Sequence, residues 1–205
     1  MKAILFFGLV LGLCLIGAAL THKPRESRSA TVLIKRPNGH GSGVHIGNGY
    51  ILTASHVVKG EGAIEIATED GSSAPARLVW ISTDYDVALL HVDNLSMGRA
   101  TLDCRSLRIG ENIEAVGNPL DLQFIHTYGK VAGEPRTVDE LRSVFIASLS
   151  VVPGMSGGPV FDRQGHLIGI ITATMAVPLS LITSSLVPVS YIIPGSAICN
   201  MLVRS

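Results

Sequence analysis

The feature that most limits how this 205-residue chain can fold is a series of short β-type runs separated by glycine-rich turns, with almost no helical periodicity. Thr31 to Lys35, Ser42 to Ile46, Tyr50 to Thr53, Ala63 to Ala67, Ala76 to Ile81 and Val87 to Val92 form a first set. Turn signals such as Pro37-Asn38-Gly39, Gly47-Asn48-Gly49 and Glu69-Asp70-Gly71 punctuate it. A second set follows: Asn112 to Val116, Gln123 to Ala132, Val144 to Ser148, Pro159 to Phe161, Leu167 to Thr172 and Val187 to Ile192. Gly195 to Val203 can form one short terminal helix. Two halves of about six strands predict an all-β chain of paired antiparallel barrels, connected near Asp93 to Arg108. The length suits one domain, or two subdomains sharing a core.

The first twenty residues read differently. Lys2 gives a short positive start, Ala3 to Leu20 are uncharged and mostly apolar, and Gly17-Ala18-Ala19 supplies small residues before a polar stretch. Residues 1–20 are therefore a signal peptide cut near Ala19, or an uncleaved anchor with a membrane tether through residues 3–20. Either reading places the body outside the cytoplasm, secreted or periplasmic, with residues 21–29 as a short tether. Export bears on the cysteines: Cys104 and Cys199 are either one disulfide or two separate buried thiols. The long uncharged stretch from Leu167 to Val203 is broken by Pro178, Pro188 and Pro194, so it reads as buried strands plus a loop walling a pocket. Sixteen basic residues balance sixteen acidic ones, which gives no field favouring nucleic acid or an anionic membrane. Function must come from a site.

One candidate is Gly154-Met155-Ser156-Gly157-Gly158-Pro159. Glycines around a serine let the backbone turn tightly, leaving the hydroxyl proud and nearby N–H groups convergent. A serine hydroxyl needs a base to become a nucleophile. His56 lies where a β-type run ends in Ala54-Ser55, a usual address for functional side chains. Asp86 directly precedes the apolar run Val87-Ala88-Leu89-Leu90, so its carboxylate enters the core and needs a partner. Asp84 belongs in solvent. The other histidines, His22, His40, His45, His91, His126 and His166, lack partner residues in sequence and read as solvated or core side chains. His40 and His45 have no cysteine or carboxylate at ligand spacing, so no metal is expected, and no cofactor is implied.

His56, Asp86 and Ser156, in that order, resemble the trypsin-like serine peptidase family, and more closely its bacterial HtrA-type branch. The similarity covers about residues 30–203. It is carried by Gly41-Ser42-Gly43-Val44, the His56 block, Asp86-Val87-Ala88-Leu89-Leu90, Leu107-Arg108-Ile109-Gly110-Glu111 running to Val116-Gly117-Asn118-Pro119, the Ser156 block, and His166-Leu167-Ile168-Gly169-Ile170. The glycine–serine pattern alone also fits the nucleophile elbow of α/β-hydrolases. That fold needs a helix after the serine and a later acid and histidine, whereas strand-like Pro159-Val160-Phe161 follows here.

The resemblance implies two six-stranded chymotrypsin-like barrels, at about residues 30–98 and 107–193, with the active site in the cleft between them and a C-terminal helix at about 195–203. It implies a serine endopeptidase acting on polypeptide substrates through a His56–Asp86–Ser156 triad and an acyl-enzyme. The N–H groups of Gly154 and Ser156 would form the oxyanion hole. Ser150 would floor a specificity pocket walled by Thr172, Ala173 and Thr174, all uncharged, which favours a small or apolar P1 residue. Thr172 would hydrogen-bond Asp86. Met155, in place of an aspartate, implies no activation by propeptide cleavage. Because the sequence stops soon after the helix, a protease domain without the PDZ domain of many HtrA-type members is expected. The rivals are a catalytically silent peptide-binding pseudoprotease of the same fold and an esterase using the same triad.

Overall fold

The alternation of apolar and polar residues resolves into twelve strands in the computed structural model, which describes residues 29–178 and 184–203. The expected leader and nearly all of the tether lie outside these residues. The first six strands are β1 (Thr31–Arg36), β2 (Gly39–Gly47), β3 (Tyr50–Thr53), β4 (Ile64–Ala67), β5 (Ser73–Ser82) and β6 (Val87–His91). They close into an antiparallel barrel in the order β1-β2-β3-β6-β5-β4. The next six are β7 (Asn112–Gly117), β8 (Ile125–Val138), β9 (Leu141–Ser148), β10 (Pro159–Phe161), β11 (Leu167–Pro178) and β12 (Ser184–Pro194). They close in the corresponding order, β7-β8-β9-β12-β11-β10. Closure leaves neither sheet with an open edge. Two helices complete the described fold, α1 (Ser55–Val58) and α2 (Gly195–Leu202).

Strand periodicity sorts the core. On β6, Ala88 and Leu90 join Val32, Ile34, Ile51 and Ile66 inside the first barrel. Val87 and Leu89, pointing the other way, join a cluster that spans both barrels with Val44, Leu52, Val116, Val144, Phe161 and Ile170. Phe145, Ile168, Ile171 and Ile192 fill the second barrel. Each large apolar side chain buried this way contributes roughly 1.5–3 kcal/mol. The barrels therefore pack against each other through one shared apolar cluster.

All twelve predicted strands and the terminal helix form, but some strands run longer than the sequence suggested. β8 continues past Ala132 to Val138, and most of its residues there are exposed. β11 continues past Thr172 to Pro178 and β12 starts at Ser184, so the expected loop is largely a hairpin extension. Away from a core, backbone pairing holds a strand without an apolar signal. The four-residue α1 is too short for its period to show. Among the described residues no helix is long and apolar enough to cross a membrane. Cys104 and Cys199 are joined in a disulfide, with Cα atoms 5.9 Å apart, tying the inter-barrel connection to α2.

Candidate active site

Asp86 and His56 meet because β3 and β6 are neighbours, with Thr53 opposite Ala88. The chain leaves β3 into α1, which carries His56, and enters β6 from a turn in which the Asp86 N–H donates to the Thr83 carbonyl at 3.2 Å. Asp86 adopts φ 51°, a left-handed conformation that aspartate tolerates better than most residues. It is only 5% exposed. Four donors converge on its carboxylate. Oδ1 accepts from the Ser55 hydroxyl at 2.8 Å and the His56 backbone N–H at 3.0 Å; Oδ2 accepts from His56 Nδ1 at 2.8 Å and from the Thr172 hydroxyl. Burial pushes the carboxyl up. The hydrogen bonds from His56, Thr172 and Ser55 and the charge of the His56 ring outweigh that and hold it below its ordinary value of 3.8. With Nδ1–H facing the carboxylate, the neutral imidazole keeps Nε2 as its basic nitrogen.

Ser156 comes from the second barrel, on the turn between β9 and β10. Gly154 has φ 96° and Gly157 φ 81°. A Cβ at Gly154 would lie 2.3 Å from the Asn118 carbonyl oxygen, and one at Gly157 would lie 2.2 Å from that of Ser42, so only glycine fits either position. The loop is tied on all sides: Met155 N–H donates to Val152 O at 3.2 Å, Gly157 N–H to Ile171 O at 2.7 Å, and Ser42 N–H to Ser156 O at 2.8 Å. The Ser156 hydroxyl rests on the Thr172 carbonyl at 3.4 Å. His56 and Ser156 line the same cavity of about 460 Å³, together with His40, Val57, Pro153 and Gly154. Among the described residues the N–H groups of Gly154 and Ser156 have no protein acceptor.

The remaining predicted site residues are dispersed. Thr172 is buried beneath Asp86, whereas Ser150 is exposed. Ala173 and Thr174 are half-buried, and the Thr174 hydroxyl donates to Val189 O at 3.2 Å. Neither they nor Ser150 border the cavity that holds Ser156. Sequence reasoning passed over Ser55, which reads there only as a small residue beside His56, and Asn118, which sits inside a quoted block without a role. It also assigned His40 to solvent or core. His40 is indeed exposed, and it stands in the cavity wall with Nε2 2.9 Å from the Asn118 carbonyl oxygen.

Elsewhere, His45 is a core side chain, with Nδ1 2.9 Å from Gly98 O and Nε2 accepting from Gly49 N–H at 3.3 Å. Asp103, Asp162 and His166 offer ligand atoms within 4.8 Å of one another. The cation these carboxylates hold is Arg105, 2.9 Å from Asp103 and 3.4 Å from Asp162.

Comparison with known proteins finds peptidases. A family model described as "Trypsin-like peptidase domain" matches residues 41–170. A probable periplasmic serine endoprotease DegP-like of Halomonas elongata is 38% identical over 136 residues, covering 63% of this chain and 28% of that protein. The serine protease Do-like HtrA of Bacillus subtilis is 35% identical over 148 residues, 65% of this chain and 33% of its own. The periplasmic pH-dependent serine endoprotease DegQ of Escherichia coli is 37% identical over 145 residues, 67% of this chain and 32% of its own. The chain thus spans about a third of the length of the curated relatives it matches. A solved HtrA-type protease with a decapeptide superposes with a TM-score of 0.76 at 24% identity, covering 87% of this chain and 64% of that one, a likeness in fold.

Proposed function

The chain belongs to the trypsin-like peptidase family, in its HtrA-like branch, and from that premise we propose that it is an exported serine endopeptidase. The peptidase unit spans about residues 30–203, behind a leader or anchor. The observation that carries the reading is a buried, four-times hydrogen-bonded Asp86 that holds by Nδ1 the His56 ring lining one cavity with a serine on a glycine turn.

In the reaction, His56 Nε2 takes the Ser156 proton as Oγ attacks the peptide carbonyl, and Asp86 stabilises the imidazolium that results. The oxyanion forms against the N–H groups of Gly154 and Ser156, each worth roughly 2.7–4 kcal/mol. His56 then returns its proton to the leaving amine, the C–N bond breaks, and an acyl-Ser156 remains. Water, deprotonated by His56, attacks that ester, the acyl–Oγ bond breaks as His56 gives the proton back to Ser156 Oγ, and the second product leaves as the carboxylic acid. The substrates are polypeptides. A P1 side chain that is small or apolar suits surroundings of the uncharged Ser150, Ala173 and Thr174, with the Thr172 hydroxyl engaged by Asp86.

The rival, a binder that cuts nothing, draws on the Ser156 hydroxyl resting on Thr172 O. Rotation about one side-chain bond redirects that hydroxyl, and such bonds commonly tighten only with substrate present. A fluorophosphonate probe together with an unfolded protein substrate separates the two. Labelling and cleavage that both vanish in Ser156→Ala support the enzyme. A folded protein that neither labels nor cleaves is the binder.

A further inference from the structure

Two sequence blocks that carry the family resemblance, Gly41-Ser42-Gly43-Val44 and Val116-Gly117-Asn118-Pro119, contain no residue with a part in the chemistry above. They meet directly behind the nucleophile loop. Ser42 and Asn118 are both 0% exposed. We propose that Ser42 and Asn118 form one positioning unit that pins the carbonyl of Gly154 and, through that residue, steadies the adjoining Pro153–Gly154 peptide that carries the anion-receiving N–H; this rests on the endopeptidase reading.

The argument is one of saturated valences. A serine hydroxyl has one proton to give and two lone pairs. Both lone pairs of Ser42 Oγ face donors from Asn118, its backbone N–H at 2.9 Å and its Nδ2 at 3.1 Å. The proton has one place left, and it goes to the Gly154 carbonyl at 2.8 Å. Asn118 is fixed in turn, because Nδ2 also donates to Val32 O at 3.1 Å and Oδ1 accepts from Phe124 N–H at 3.0 Å. Ser42 N–H holds the Ser156 carbonyl, so one residue grips the backbone on either side of Met155. Two residues beyond Asn118, Leu120 N–H donates to the Pro153 carbonyl at 3.1 Å. In a trans peptide the N–H of Gly154 points opposite that carbonyl, and thus away from Leu120. Leu120 and Phe124 reach these positions at φ 51° and 54°, conformations that bulky side chains adopt only when their surroundings impose them.

Ser42→Ala and Asn118→Ala test the unit. Misplacing a reacting group by a small distance costs up to about 10²-fold in rate. Each variant should lower kcat by roughly 10- to 100-fold at a KM within about twofold of wild type. Affinity for a peptide boronate should fall in step with kcat while affinity for the product peptide holds. The double variant should lose little more than either single one, because the two residues share a network. The downfield Nδ1 proton resonance of His56 should stay in place, showing the Asp86 pair undisturbed. Ser42→Cys, which keeps the size and a weaker donor, should fall between. Wild-type kcat in either alanine variant, or equal losses of boronate and product affinity, would overturn the proposal. Should wild-type protein neither label nor cleave, the endopeptidase reading has failed instead. Amide exchange at Met155 then decides, with faster exchange in Ser42→Ala supporting the unit and unchanged exchange refuting it.

Discussion

Asp86 shows how a buried acid acquires a single role. Each of its oxygens is filled by two donors, so an amide in its place would turn an NH₂ group against at least two of them. Asp86→Asn is therefore expected to reverse the His56 tautomer and lower kcat by about 10⁴-fold with the fold intact, measured by steady-state kinetics beside circular dichroism. The same contacts predict a pH dependence of stability. A carboxyl held below its ordinary value of 3.8 contributes stability above that value and loses it as the pH falls through the lower, folded value. Acid titration of the melting temperature should show the Asp86 contribution intact at pH 5 and disappearing below pH 4, and Asp86→Asn should flatten that limb. His56, Asp86 and Ser156 were legible in sequence because each sits at a break between small or turn residues and an apolar run. Ser42 and Asn118 were not. Their meaning lies in hydrogen bonds between residues 76 apart, which no local pattern announces.

At the level of the element, the nucleophile loop is shaped by what surrounds it. Gly154→Ala would place a methyl group against the Asn118 carbonyl and the His40 ring at a φ that alanine avoids. Its expected cost is roughly 1–3 kcal/mol of stability, with a disproportionate fall in kcat as the peptide turns, read by urea unfolding and turnover of the same sample. Strand positions were legible wherever one face meets a core, as on β6, where Val87 and Leu89 face one cluster and Ala88 and Leu90 another. The outer parts of β8, β11 and β12 were not, since a hairpin beyond the barrel is held by backbone pairing and needs no apolar alternation. The extension of β8 and β9 also reaches the first barrel, where Arg142 N–H donates to Asp84 O at 2.9 Å.

Across the whole molecule, two barrels of the same strand order share one apolar interface and are tied once more by Cys104–Cys199, 95 residues apart in sequence. A loop of that length predicts about 3–5 kcal/mol of stabilisation through the unfolded chain. Cys104→Ser with Cys199→Ser should lower the melting temperature by roughly 2–4 °C per kcal/mol, and dithiothreitol should reproduce the shift in wild type but not in the double variant. The sequence left bridge and separate thiols open, because spacing along the chain does not fix distance in space. The central claim is spatial: an alcohol from one barrel and an imidazole–carboxylate pair from the other act on one peptide bond in the groove between them. The most direct measurement is a crystal structure of the protein treated with a peptidyl boronate. The account predicts boron bonded to Ser156 Oγ and a boronate oxygen about 2.7–3.1 Å from the N–H groups of Gly154 and Ser156. A folded protein whose Ser156 carries no adduct after saturating treatment would contradict it.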